Sequence, residues 1–158
     1  MAQKNEFVLR RYEERDLEAI AALDAECFAP PFRFSRAAMR RFAEAENAWV
    51  VVAEAEGELA GFCIIHMEQA ETVQVGYVVT IDVAAGFRRK GLGEQMLADG
   101  EARVRQSGGA GMMLHVFVKN AGAVRFYERV GYRRVGEQKG FYGPGIDAAM
   151  YWKEFADT

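Results

Sequence analysis

The sequence predicts an α+β fold, one sheet with helices packed on its faces, and three observations carry that expectation. Periodicity along the chain gives the order strand, two helices, three meandering strands, helix, strand, helix, two strands. The strict alternation of strand and helix that a doubly wound nucleotide fold requires is absent. A chain of 158 residues, 51% hydrophobic and 12% aromatic, carries enough apolar material for one well-buried core, so a single domain over residues 1–158 is expected.

Each element has a local reason. "EFVLRRYEERD" reads as a short strand running into an acidic helix start, with Asp16 as a candidate N-cap. Leu17, Ile20, Leu23 and Cys27 then recur at helical spacing. Pro30-Pro31 ends that helix, and Ser35 is placed to cap a second one that carries Met39 and Phe42 inward. Between them lies the aromatic loop "FAPPFRF". Two β-rich runs, 49–54 and 59–68, flank a turn at Gly57 as a hairpin, and a third strand follows from about Thr72 to Val83. After the loop "AAGFRRKGLG", Leu92, Met96, Leu97 and Val104 mark the apolar side of a helix. "QSGGAG" breaks the chain before the strand "MMLHVFV". A short helix runs from Asn120 to Val130, with Asn120 as N-cap and Gly131 at the left-handed C′ position. Two last strands, near 132–138 and 148–155, flank the turn Gly143-Pro-Gly145.

Composition narrows the function. A formal net charge of -3 and a pI near 5.5 give no global footprint for nucleic acid, so any anion site has to be a local cluster such as Arg88, Arg89, Lys90. Cys27 and Cys63 lack CxxC or paired His/Cys spacing, so no disulfide framework and no metal site is expected; they read as reduced, buried small hydrophobes. No N-terminal apolar leader and no apolar run of about 18 residues is present, and a soluble, cytoplasmic protein without membrane partners is expected.

The stretch "GFRRKGLGEQM" carries the sharpest signal. A P-loop requires Lys and Ser/Thr after its last glycine, and here Leu92 and Gly93 follow Gly91. A dinucleotide fingerprint requires a third glycine where Met96 stands. What remains is R-x-x-G-x-G between a strand end and a helix start. There the backbone can approach an anion, N–H groups and the helix dipole favour it, and basic side chains add charge. A solvated basic turn used for chain reversal is the plainer alternative. The run Arg88-Arg-Lys-Gly-Leu-Gly93 after "YVVTIDVAAGF" resembles the acetyl-CoA pyrophosphate loop of the GNAT superfamily of acetyltransferases. "NAGAVRFYERVGY", Asn120 to Tyr132, resembles the superfamily's second signature, N-x-x-A-x-x-F-Y-x-x-x-G-[F/Y]. The order of motifs and elements is similar over essentially the whole chain.

The resemblance implies a mixed, mostly antiparallel sheet of about seven strands with helices on both faces, and acetyl-CoA as cosubstrate. It implies that the backbone of Ile81, Asp82 and Val83 pairs with the pantetheine arm. Arg88, Arg89, Lys90, Gly91, Leu92, Gly93 and Glu94 would hold the pyrophosphate, and Asn120, Ala123 and the helix after them would complete the thiol end. Acetyl transfer to an amine needs a neutral amine, oxyanion stabilisation and a proton for the departing thiolate. Tyr127 matches the superfamily's general acid; as a residue alone it also reads as a core aromatic, in step with Val124 and Val130. The oxyanion is expected to face a backbone N–H near Val83.

Bacterial ribosomal-protein N-terminal acetyltransferases carry a Glu base five residues before the Asn, where this chain has His115. "GYVVTI" and "LHV" instead resemble eukaryotic and archaeal protein N-terminal acetyltransferases that use a Tyr and a His through an ordered water, which implies Tyr77 and His115. A neutral imidazole of pKa near ~6.5 suits an α-amine at ~7.7–8.0 better than a lysine at ~10.4. Inside the sheet, a satisfied imidazole and a cross-strand packing tyrosine are the alternatives for this pair. His66 reads as structural or surface. Phe28, Phe32, Phe141 and Tyr142 occupy places where N-terminal acetyltransferases wall in the first peptide residues, although "FAPPFRF" is longer and more aromatic than usual. Acetylation of a small amine and CoA binding without turnover remain open readings, as do monomer and homodimer.

Overall fold

The computed structural model describes residues 7–156. Residues 1–6, part of the stretch read as lacking a leader, lie outside them. The described residues form seven strands, β1 (Val8–Arg11), β2 (Ala48–Ala55), β3 (Glu58–Ala70), β4 (Val73–Val83), β5 (Gly111–Phe117), β6 (Arg133–Gln138) and β7 (Ala148–Glu154), hydrogen-bonded in the order β1-β2-β3-β4-β5-β7-β6. Four helices are α1 (Leu17–Cys27), α2 (Arg36–Ala43), α3 (Leu92–Gln106) and α4 (Ala121–Arg129). The β1–β2, β2–β3, β5–β7 and β6–β7 pairs are antiparallel, and β4–β5 is parallel. The expected α+β, mostly antiparallel sheet is therefore present. Among the described residues no helix is long and apolar enough to cross a membrane.

The backbone divides into two compact units, one made of the chain through His66 with Val79–Gly100, the other of Met67–Val78 with the chain from Glu101 onward. In the first, alternate strand positions and helical i, i+3 positions converge. Val50 and Val52 of β2 and Phe62 and Ile64 of β3 meet Leu17, Ile20 and Leu23 of α1 and Met39 and Ala43 of α2. On the other face of β3, Gly61 admits α3: a Cβ there would lie 2.6 Å from the Asp82 carbonyl oxygen and 3.0 Å from Met96. The β2–β3 hairpin turns through Glu56 and Gly57, both at positive φ (53° and 78°), the geometry that matches strand twist. Ser35 caps α2 as expected, accepting from the Ala38 N–H at 3.1 Å.

Asp16 stands at the N-cap position of α1, but its side chain makes no cap bond to the helix. Glu14–Asp16 forms a 3-10 turn leading into the helix, and the Asp16 carboxylate accepts from the Glu13 N–H at 2.8 Å while gripping both terminal nitrogens of Arg10 at 2.8 Å. A bidentate guanidinium pair is a stronger claim on a carboxylate than a helix cap.

In the second unit β5 and β7 supply Met112, Leu114, Val116, Ala148, Ala149 and Tyr151 to the core. Asn120 caps α4 by accepting from the Ala123 N–H at 3.1 Å, and Gly131 takes φ 101° after it. Buried Glu101 accepts from the Tyr132 hydroxyl at 2.7 Å and from Lys153 Nζ at 3.0 Å, and the same ammonium donates to the Val130 carbonyl at 3.0 Å. The aromatic that ends the second signature thus ties the exit of α4 to a buried ion pair.

Candidate active site

The first unit holds the strand end and the glycine loop. The β4–β5 ladder pairs Gly76, Tyr77 and Val78 with Met112, Met113 and Leu114 and stops there, so Ile81–Val83 lie beyond it. Ile81 and Val83 are half-buried, whereas the Asp82 side chain is 1% exposed and can meet a ligand through its backbone alone. Leu92 is likewise a core residue at 1% exposure. Between strand and helix, Arg89 (φ 64°) and Gly91 (φ 81°) both take left-handed backbone, and α3 opens with Gln95 N–H donating to the Gly91 carbonyl at 3.0 Å. Nothing lies within 4 Å of a Cβ placed on Gly91, so its glycine answers to conformation and not to crowding. The N–H groups of the first helical turn have no carbonyl of their own helix to meet, which leaves them for an anion.

The three cations of the loop differ. Arg88 is exposed but folds back along the chain, its Nε donating to the Val83 carbonyl at 3.1 Å and a terminal nitrogen reaching Cys27 Sγ at 3.7 Å. Arg89 is exposed, and Lys90 Nζ lies 5.9 Å from the Phe87 ring centroid. Arg88 in this position braces the strand end.

Asp82 has an unexpected partner. Its Oδ1 accepts from the Thr80 hydroxyl at 2.6 Å, and Asp24 Oδ2 accepts from the Phe34 N–H at 2.8 Å. The remaining oxygens, Asp24 Oδ1 and Asp82 Oδ2, are buried without any other donor. The two side chains hydrogen-bond each other, which requires one proton between them; burial first, and then Asp24, holds the Asp82 carboxyl well above the usual carboxylate range. Asp24 thereby ties both ends of the aromatic loop, since its carbonyl also accepts from the Phe28 N–H at 2.9 Å. Phe28 and Phe32 are half-buried within that loop.

The second unit brings together Tyr77, His115, Phe141 and Tyr142. The Tyr77 hydroxyl lies 2.7 Å from His115 Nδ1, and His115 Nε2 lies 3.1 Å from Gln138 Oε1. With a carbonyl oxygen facing it, Nε2 carries the proton, so Nδ1 accepts from Tyr77. Phe141 stacks on the imidazole at 4.0 Å and 5°, and Tyr142 meets Phe141 edge-on at 4.9 Å. Burial lowers the His115 pKa, with the Gln138 hydrogen bond acting the other way, and burial raises those of Tyr77 and Tyr142, the latter to about 12. The result is a neutral imidazole and a protonated phenol at neutral pH, joined by one hydrogen bond.

On α4, Asn120 is exposed and Ala123 half-buried, while Tyr127 is 7% exposed with its ring edge-on to Phe126 at 5.2 Å and to Tyr132 at 5.8 Å. His66 donates from Nε2 to the Phe42 carbonyl at 2.8 Å, closing the end of α2. Two residues escaped the sequence reading. Asp24 falls four residues after Ile20 on the apolar stripe of α1, a charge where the pattern asks for a hydrophobe. Gln138 carries no signal until the fold sets it against His115.

The family model described as Acetyltransferase (GNAT) family matches residues 17–132. An N-alpha-acetyltransferase of Sulfurisphaera tokodaii is 32% identical over 108 residues, 63% of this chain and 65% of that protein. Among solved structures, the ribosomal-protein-S18-alanine N-acetyltransferase from Escherichia coli superposes with a TM-score of 0.83 at 20% identity, covering 97% of this chain and 96% of that one. NAA60 of Arabidopsis thaliana in complex with acetyl-CoA gives 0.82 at 19%, covering 95% and 99%. With the matched segment spanning both the glycine loop and the Asn120–Tyr132 signature, the chain belongs to the GNAT family of acetyltransferases.

Proposed function

We propose that this acetyl-CoA-dependent N-acetyltransferase acts on the α-amine of a peptide or protein N-terminus. The observation that carries the acceptor is the Tyr77–His115 pair at 2.7 Å, with burial lowering the imidazole pKa. Such a base lies nearer to an α-amine of pKa ~7.7–8.0 than to a lysine at ~10.4. The names of the Sulfurisphaera and Escherichia relatives point the same way.

In this reading the backbone of Ile81–Val83 receives the pantetheine arm, and the left-handed turn at Arg89 and Gly91 with the α3 N-terminus receives the pyrophosphate. Arg89 and Lys90 add charge, and Glu94 lies in the first turn. Asn120 and Ala123 flank the thiol end. Phe141 and Tyr142, beside the Tyr77–His115 pair, wall the first acceptor residues, and the resemblance gives Phe28 and Phe32 the same kind of role. The neutral amine attacks the thioester carbonyl, a backbone N–H near Val83 meets the oxyanion, and the C–S bond breaks as Tyr127 supplies a proton to sulfur. The nitrogen's second proton leaves to solvent as the amide forms, and the Tyr127 oxygen takes a proton back from solvent.

The test is thiol release from acetyl-CoA with three acceptors at neutral pH: a peptide with its α-amine unblocked, the same peptide N-terminally blocked but carrying lysine, and a polyamine. Turnover of the first well above the other two is expected; faster release with either of the others would overturn the acceptor assignment. His115→Ala is expected to cost about 10²-fold in kcat/KM on the peptide and to abolish the acidic limb of the pH profile, which in the native enzyme falls below the ordinary imidazole range because the pKa is lowered. Gly91→Ala is expected to weaken CoA binding about tenfold by calorimetric titration, because a Cβ at its φ of 81° costs about 1–2 kcal/mol and the backbone must leave that geometry.

A further inference from the structure

The Tyr77–His115 pair does not stand alone, and its third member decides which atom takes the proton. Both imidazole nitrogens are committed: Nδ1 lies 2.7 Å from the Tyr77 oxygen and Nε2 lies 3.1 Å from Gln138 Oε1. A Gln carbonyl oxygen only accepts, so Nε2 must donate, and the phenol must then donate to Nδ1. Phe141, parallel to the ring at 4.0 Å, covers one face of the imidazole. That leaves His115 no lone pair for an incoming ammonium, whereas the Tyr77 oxygen keeps the lone pairs its own O–H does not use.

We propose that Gln138 is a positioning residue for the base, fixing the His115 tautomer so that the Tyr77 oxygen is the atom that receives the amine proton. The inference rests on the reading of Tyr77 and His115 as the base. The proton account closes: an N–H bond of the substrate ammonium breaks and an O–H bond forms on Tyr77. The former Tyr77 proton moves to Nδ1, and the imidazolium keeps its Nε2–H donated to Gln138. Tyr77 ends as it began, the amine is neutral, and His115 holds the proton until solvent removes it. Gln138 accepts more strongly from an imidazolium than from an imidazole, so it favours the state formed as the amine becomes a nucleophile. The groups facing the pair are Tyr77 from β4, Gln138 from β6 and Phe141 before β7, while Tyr142 and Glu68 act on Tyr77 by charge.

The experiment combines pH profiles of kcat/KM on an unblocked peptide with nitrogen NMR of histidine-labelled protein. Wild type is expected to show His115 as the Nε2–H tautomer. Gln138→Leu is expected to mix the tautomers, lower kcat/KM about tenfold and move the acidic limb to lower pH, since an acceptor for the imidazolium is lost. Gln138→Glu is expected to keep the tautomer, restore most of the rate and move the limb up by about one pH unit, because a carboxylate favours the imidazolium. An Nδ1–H tautomer in wild type overturns the proposal. So does an acidic limb unmoved in both Gln138 variants while His115→Ala abolishes it, an outcome that leaves the base assignment standing. A limb that survives His115→Ala removes the base assignment and this inference with it.

Discussion

Tyr127→Phe is expected to lower kcat at neutral pH by about 10²–10³-fold while the protein keeps its fold. The substitution removes one oxygen from a ring that is 7% exposed and held edge-on by Phe126 and Tyr132, so the packing that a cavity-forming change would destroy is retained. A shift in unfolding free energy of about 1 kcal/mol or less is expected. Chemistry should respond far more. An alkyl thiol titrates near ~8.5, so at neutral pH the sulfur that leaves acetyl-CoA must gain a proton as the C–S bond breaks. Without the phenol it departs as a bare thiolate, a poorer leaving group than the protonated sulfur. The defect should therefore shrink as the pH rises past the thiol's own pKa, where the thiolate no longer needs the proton. Single-turnover rates from pH 6.5 to 9.5, with urea midpoints on the same samples, read both quantities. A rate equal to wild type at neutral pH would leave Tyr127 as a core aromatic of α4.

How much of this was legible in the chain depends on the range of the interaction. Ser35 and Asn120 were readable as caps because a cap bonds to a backbone N–H three residues away, at Ala38 and Ala123. The turn at Gly57, the Gly131 stop and the glycine loop were readable for a related reason: each holds a glycine at positive φ, a conformation decided within a few residues. Asp16 stands at the N-cap position, but its carboxylate goes to Arg10, and nothing local to "YEERD" announces a guanidinium from the preceding strand. Tyr77 and His115 came from resemblance, but Gln138 could not, since it joins them only after β6 and β7 pair. The Asp24–Asp82 contact spans α1 and β4. Its trace in the sequence was a polar residue at an inward position of each, with Gly76, Val78, Thr80 and Asp82 making up the buried face of β4. Alternation shows that such a residue is buried without saying what it meets.

That buried pair yields the second large effect. Asp24→Ala is expected to destabilise the fold by about 2–4 kcal/mol, since it opens a cavity, leaves the Asp82 carboxyl without its partner and strips the Phe34 N–H of its acceptor. Asp82→Asn is the informative contrast. An amide nitrogen can donate to Asp24 Oδ1 where the shared proton now lies, and the amide oxygen can accept from Thr80, so the geometry survives with the titration removed. The sign follows from linkage. The folded state holds the Asp82 proton above the pH at which an unfolded aspartate, near ~3.9, releases it. Between those limits the native state binds more protons than the unfolded one, so stability is fully present below about pH 4 and declines as the pH rises, by up to about 1.4 kcal/mol per pH unit from this group. Urea unfolding at pH 5, 6, 7 and 8 should show the wild-type midpoint falling relative to Asp82→Asn, with the two curves converging or crossing toward alkaline pH. Parallel curves over that range would mean that no proton is shared. Because Asp24 also bonds the Phe28 and Phe34 N–H groups, the same pair anchors the aromatic loop proposed as an acceptor wall. Asp24→Ala should raise the KM for peptide at a temperature where the variant is fully folded, while the KM for acetyl-CoA changes less.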